Sequence, residues 1–255
     1  QSIVGAMCAT GSLLANNFGV PALIVKIGGV FFYGFWIVLH QLDIRSERYP
    51  LVRMKYVYLL LLLPLLLLDL ALGILYIAGL HPDIITSCCA VVFGESAGGG
   101  TNLLVGITPE ISLMLFYGSV ILLLAVGGLL LLRWRIWTSL LFSSAWLWFF
   151  LLALMVVTTV FSSYIYAMPF HKCPFCILKP QYHYIGFLLY VPLFVGAFLG
   201  LSVVVAEPLR SLEGLEGVVP HFQKRAVVLS LGLLLVFVAA ASYPYLRYIL
   251  LGGES

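Results

Sequence analysis

Charge is what this chain has least of. Asp, Glu, Lys and Arg make up 9% of its 255 residues, against roughly 25% in an ordinary globular domain. Too few ionised groups are present to cover a water-facing surface, which excludes a soluble domain. The net charge is only +3, and the basic residues stand at the ends of apolar runs. No basic patch for nucleic acid is expected. Cysteine is also scarce: the chain has five, at positions 8, 88, 89, 173 and 176, too few and too clustered for a secreted disulfide scaffold. No internal repeat, low-complexity linker or second domain interrupts the chain, so residues 1–255 read as one polytopic unit. No basic stretch precedes the small-residue segment ending at Gly19, which therefore does not read as a signal peptide. Cys8 lacks the residues that precede a lipidated cysteine.

What fills the sequence is hydrophobic side chain, 63% of residues. At about 20–25 residues per crossing, the apolar runs predict spans at about 21–42, 56–80, 111–132, 136–167, 183–206 and 226–251. The expected fold is an all-α integral membrane protein with about six transmembrane helices. The tight Arg133-Trp134-Arg135 turn makes the third and fourth spans an antiparallel hairpin. Most Trp and Tyr residues near the ends of spans, including Trp134, Trp137, Trp146 and Trp148, fit interfacial belts. Gly127 and Gly128 suit close helix packing.

Lys and Arg concentrate in alternate connections. Arg45, Arg48, Arg53 and Lys55 follow the first span, Arg133 and Arg135 the third, and Arg210, Lys224 and Arg225 the fifth. The stretch from His81 to Glu110 has no Lys or Arg, and the connection at 168–182 has Lys172 and Lys179. By the positive-inside bias, both termini and all five cysteines face away from the cytoplasm. In a bacterial inner membrane that face is oxidising, and disulfides persist there.

The chain is organised around Phe170-His171-Lys172-Cys173-Pro174-Phe175-Cys176-Ile177, a Cys-x-x-Cys where a polar loop meets an apolar helix. Only the thiolate does redox chemistry or binds a soft metal. A helix N-terminus supplies unpaired N–H groups and the positive end of the dipole, which favour thiolate, and Pro174 is tolerated in a first turn. Cys173 is then expected to be the exposed, low-pKa thiolate and Cys176 its resolving partner. Ile177 stands where a c-type haem site requires histidine. The vicinal pair Cys88-Cys89 sits in a glycine-rich loop that is expected to fold over the Cys-x-x-Cys. Adjacent cysteines close a strained, labile disulfide or act singly in exchange. A metal reading uses the same side chains: Cys88, Cys89, Cys173 and Cys176 offer soft sulfur ligands, with His171 and His183 as nitrogen donors. Asp69 near the middle of the second span marks a proton path or a hydrogen-bonded carboxyl, with Lys26 as partner only if the two share a depth.

A cysteine-bearing loop, a helical hairpin and a following Cys-x-x-Cys together resemble the vitamin K epoxide reductase family. They are similar also to the bacterial quinone-linked disulfide-forming membrane proteins. The resemblance implies a central four-helix bundle at about 53–206, flanked by two further helices, with a quinone beside Cys173 and Cys176. It implies that Cys88 and Cys89 relay electrons from the thiols of an extracytoplasmic partner protein. Two other readings use the same residues. One is a copper- or mercury-type metal-handling protein. The other is a membrane subunit of a respiratory complex, in which the cysteines form a static bridge between loops.

Overall fold

The computed structural model describes residues 9–80, 108–166 and 173–250. Helix α1 is a short segment, Ala9–Leu13, followed by α2, Gly19–Asp43, and α3, Val52–Ala78. Helix α4 spans Pro109–Leu132 and α5 spans Ile136–Val156, continued by a π-turn, Val157–Phe161, into α6, Ser162–Tyr166. Two 3₁₀ turns, Cys176–Leu178 and Pro180–Tyr182, lead into α7, Ile185–Ala206, and α8 is Val218–Leu250. The chain is an all-α integral membrane protein: six of its helical segments are long and apolar enough to cross a membrane, and no strand occurs among the described residues. Their ends agree with the sequence reading to within a few residues, except that α8 begins a full two turns earlier than expected, at Val218.

Local chemistry sets the boundaries. Thr108 caps α4 by accepting the Ile111 N–H at 3.4 Å, with Pro109 in the first turn, where it sacrifices no hydrogen bond. At the α2–α3 turn, Asp43 accepts the Leu51 N–H at 2.7 Å on one oxygen and Lys55 Nζ at 2.6 Å on the other. Asp43 is wholly buried and Lys55 nearly so. An ion pair this buried holds its turn because both charges are hydrogen-bonded, and losing either would strand the other.

The close-packed centre is formed by α4, α5, α7 and α8. Phe116, Phe142, Trp146, Phe149, Phe161 and Phe237 are fully buried there. Phe149 meets Phe116 at 5.5 Å, Trp146 at 5.8 Å and Phe237 at 6.0 Å between ring centroids. Trp146 is thus a core wedge and not a belt residue. It seats on Gly196 and Gly200 of α7, where a side chain would collide with its ring, and Ser143 ties the same two helices by donating to the Gly200 carbonyl at 2.8 Å. Gly127 likewise admits Leu231 and Phe142, whereas nothing approaches Gly128.

The bundle is therefore four helices with two flanking ones, but the four are the last four spans and not those within 53–206. Helix α3 lies on the outside, burying only Lys55 and Leu62. It is leucine on nearly every face, and with no polar stripe and only Ala71, Gly73 and Ala78 as small residues near its end it has no strongly preferred side to pack. It pairs with α2, and α2 reaches the bundle through Phe31, whose ring lies 5.3 Å from that of Phe150.

Candidate functional site

The helices alternate in direction, so α1, the end of α3, the start of α4, α6, the start of α7 and the end of α8 gather at one end of the molecule. Cys173 and Cys176 lie at this end, buried and unbridged. They do not open the long helix, which starts only at Ile185. Cys173 lies instead in the turn before it and Cys176 opens the first 3₁₀ turn, and His183 and Tyr184, both with left-handed backbone (φ 51° and 56°), turn the chain into α7.

The activation expected from a helix dipole is supplied locally. The Cys173 sulfur accepts hydrogen bonds from the Cys176 thiol, from the Thr10 hydroxyl, and from the backbone N–H groups of Phe175 and Cys176. The Thr10 Oγ1–Sγ distance is 3.1 Å. The Cys176 bond is the largest contribution, and with the others it outweighs burial, holding the Cys173 thiol well below its usual range, at about 4. Donors aimed at the sulfur stabilise thiolate over thiol, as donors to any buried anion do. Cys173 thus sits where its thiolate is favoured, but it is not the exposed residue the sequence suggested. Its relative exposure is 0%, and Thr10 of α1 lies over it at 4%.

Three side chains outside the motif fix this turn. Tyr166 donates its phenol to the Cys173 carbonyl, and Tyr190 of α7 donates to the Pro174 carbonyl at 2.7 Å. Tyr182 meets the Tyr166 ring edge-on at 4.6 Å. Tyr166 points at the loop because of the π-turn before it. One extra residue per turn rotates everything downstream by about 100° relative to an unbroken α-helix. Gly186 supplies the floor: a Cβ there would stand 3.0 Å from the Ile177 backbone carbon and 2.8 Å from Leu178 Cδ2. None of these was evident in the sequence. Tyr166 and Tyr190 read as belt aromatics or as unremarkable span residues, and Thr10 lies 163 positions from its partner.

The remaining sequence candidates fall elsewhere. Cys88, Cys89 and His171 lie outside the described residues, as does the packing of the loop that carries the vicinal pair. His183 is exposed. Among the described residues no group of three or more His, Cys, Asp or Glu gathers as a metal site. Asp69 has the partner that depth alone left open: Lys26 Nζ lies 2.7 Å from its Oδ1. At the opposite end of the bundle, Glu207 accepts from Gln223 Nε2 at 2.8 Å, Ser139 Oγ at 3.1 Å and Trp134 Nε1 at 3.3 Å. That carboxylate fastens α5, α7 and α8 together. No protein-family model, curated protein or solved structure matches the chain.

Proposed function

We propose that this protein is a membrane thiol–disulfide oxidoreductase, working at the extracytoplasmic face of a bacterial inner membrane and using Cys173 and Cys176 as its redox pair. The observation that carries this reading is the Cys173 sulfur of a Cys-x-x-Cys, wholly buried with the Thr10 hydroxyl at 3.1 Å and held towards thiolate by the neighbouring Cys176 thiol and backbone N–H groups. Structural cysteines in an apolar core have no need of such a set. Donors that stabilise the thiolate stabilise the reduced pair, which makes the disulfide form the oxidant. The pair therefore takes electrons from the thiols of an extracytoplasmic protein. Cys88 and Cys89 serve as the relay between that protein and the buried pair.

The exchange balances as follows. A thiolate from the donor dithiol bonds to the Cys173 sulfur of the disulfide, and Cys176 leaves, taking up one proton. The donor's second thiolate attacks its own bridged sulfur and expels Cys173, which departs as the thiolate that the four donors receive. The donor's other proton goes to solvent. A membrane quinone, the proposed electron sink, then accepts the two electrons. With the Cys176 proton and one from solvent it becomes quinol, and the Cys173–Cys176 bond re-forms.

The test is a trapping experiment in membranes. Cys176→Ser is expected to hold Cys173 in a mixed disulfide with glutathione or a partner thiol, because no resolving sulfur remains, and Cys173→Ser is expected to hold none at this site. Stoichiometric soft metal in the purified protein, with no adduct in Cys176→Ser, overturns this reading in favour of metal handling.

A further inference from the structure

The donor with no place in the motif is Thr10. It belongs to a five-residue helix at the far end of the chain from the cysteines, yet its hydroxyl reaches the sulfur at 3.1 Å. Helix α1 buries Thr10 and Gly11 and leaves its following residue Leu14 exposed. It is tied to the outer hairpin: Tyr76 of α3 donates its phenol to the Ser12 carbonyl at 2.9 Å, and Asn16 donates to the Tyr76 carbonyl at 2.8 Å. Gly19 closes the approach, since a side chain there would overlap the Leu13 carbonyl. The two flanking helices therefore position one hydroxyl over one sulfur. This gives α2 and α3 a role that their sparse packing against the bundle does not otherwise suggest.

Resting on the redox reading above, we propose that Thr10 is a catalytic residue of the site and α1 its cover. The hydroxyl holds the Cys173 thiolate while the pair is reduced, and a donor sulfur replaces it when α1 lifts. Two facts require both halves. The sulfur is wholly buried with Thr10 in place, so no macromolecular thiol reaches it without displacement of what lies above. The hydroxyl is also within bonding distance of the reacting atom itself, so lifting α1 removes one of the donors that favour the thiolate. Opening thus admits the partner's thiolate to the Cys173 sulfur of the disulfide, and closing returns a hydroxyl donor to Cys173 once it has departed as thiolate and shields it from adventitious oxidants. Among the described residues, the titratable groups facing Cys173 are Cys176 on its own turn, Tyr166 from α6 and Tyr190 from α7. Thr10 itself does not titrate, so its loss moves the Cys173 titration without adding a new one.

The experiment uses the full chain in detergent, reading thiolate by ultraviolet absorbance against a Cys173→Ser blank. Thr10→Ala is expected to raise the titration midpoint by about one pH unit, the size of one lost bond to a charged group, and Thr10→Ser to restore it. Tyr76→Phe, which keeps the hydroxyl but loosens its tether, is expected to speed alkylation of Cys173 by a small neutral reagent several-fold. A third variant, Thr10→Cys, is expected to form a disulfide with Cys173 on mild oxidation, found by peptide mass, and to abolish alkylation there. An unchanged midpoint in Thr10→Ala, or a Thr10→Cys variant that never bridges to Cys173, overturns the proposal. If bridging occurs but Cys176→Ser traps no adduct, Thr10 is correctly placed and the oxidoreductase reading fails instead.

Discussion

The ammonium of Lys26 lies 2.7 Å from a carboxylate oxygen of Asp69, inside two helices that both cross the membrane. The register of the hairpin produces the pair. Gly19 faces the Tyr76 ring, and seven residues inward along each antiparallel helix, about 10 Å at 1.5 Å per residue, stand Lys26 and Asp69. Each charge alone in hydrocarbon is costly, and together they neutralise one another.

The two single variants are expected to differ. Asp69→Leu leaves a lysine whose long stem can carry the charge to the interface, so the loss is small, under about 1 kcal/mol. Lys26→Met leaves a short carboxyl that cannot reach water and must take up a proton, costing about 2–3 kcal/mol. The double variant recovers most of that loss. Thermal unfolding in detergent, followed by tryptophan fluorescence, checks the order; equal losses in both single variants would contradict it.

This pair also shows what the sequence could and could not disclose. The six spans are legible because length and apolarity alone define a crossing, and the Arg133-Trp134-Arg135 turn places the start of α5 at the residue observed. Beyond the α4–α5 hairpin, partnership between spans is not legible, since α3 and α4 are almost wholly apolar and carry no periodic stripe to reveal which side is buried. The packing is set by fit, as where Trp146 enters the groove left by Gly196 and Gly200. The Cys-x-x-Cys is legible as a motif, but its surroundings are not. Pro174 reads as a helix-start residue, yet only two short 3₁₀ turns follow before α7. The hydroxyl and phenols that complete the site come from Thr10, Tyr166 and Tyr190, whose side chains carry no signal of their destination.

Gly200 is expected to be among the least replaceable residues in the bundle. An added Cβ would fall 2.2 Å from Trp146 Cδ1 and 2.4 Å from Cγ, and the indole is wholly buried with Phe149 at its edge. The ring cannot swing away, so α5 and α7 must part. Gly200→Ala should cost at least about 1–3 kcal/mol, and pairing it with Trp146→Phe should recover part of the loss. A Gly200→Ala protein with wild-type thermal stability would show that the two helices approach less closely than described.

Glu207 offers a prediction at the end remote from the cysteines. Its carboxylate gathers the Gln223 amide, the Ser139 hydroxyl and the Trp134 indole, while Arg210 lies 5.2 Å over the Trp134 ring. Glu207→Ala strands these buried donors and should cost about 3 kcal/mol. Glu207→Gln, which keeps one acceptor oxygen, should cost less. Neither should move the Cys173 titration, because the cluster touches no element of the cysteine turn. A shifted thiolate midpoint in either variant would reveal coupling across the bundle that the packing does not account for.

The pH dependence of the redox couple follows from the Cys173 thiolate. With the folded thiol held at about 4, against an ordinary value of 9.0, reducing the disulfide above that pH gives one thiolate and one thiol. The two electrons are then accompanied by one proton, and the potential falls by about 30 mV for each unit rise in pH. Below the Cys173 midpoint both sulfurs take up protons, and the dependence doubles to about 59 mV per unit. The slope is therefore expected to break near pH 4, steep on the acid side and shallow above. Equilibration against buffered thiol couples, in a variant with Cys8, Cys88 and Cys89 replaced by serine, isolates the pair, and mass analysis after alkylation gives the reduced fraction. Thr10→Ala should move the break upward by about one pH unit, since removing a donor from the thiolate lets it protonate sooner. A single slope of about 59 mV per unit from pH 4 to pH 8 would mean that Cys173 is an ordinary thiol, and the four donors would then have no part in its chemistry.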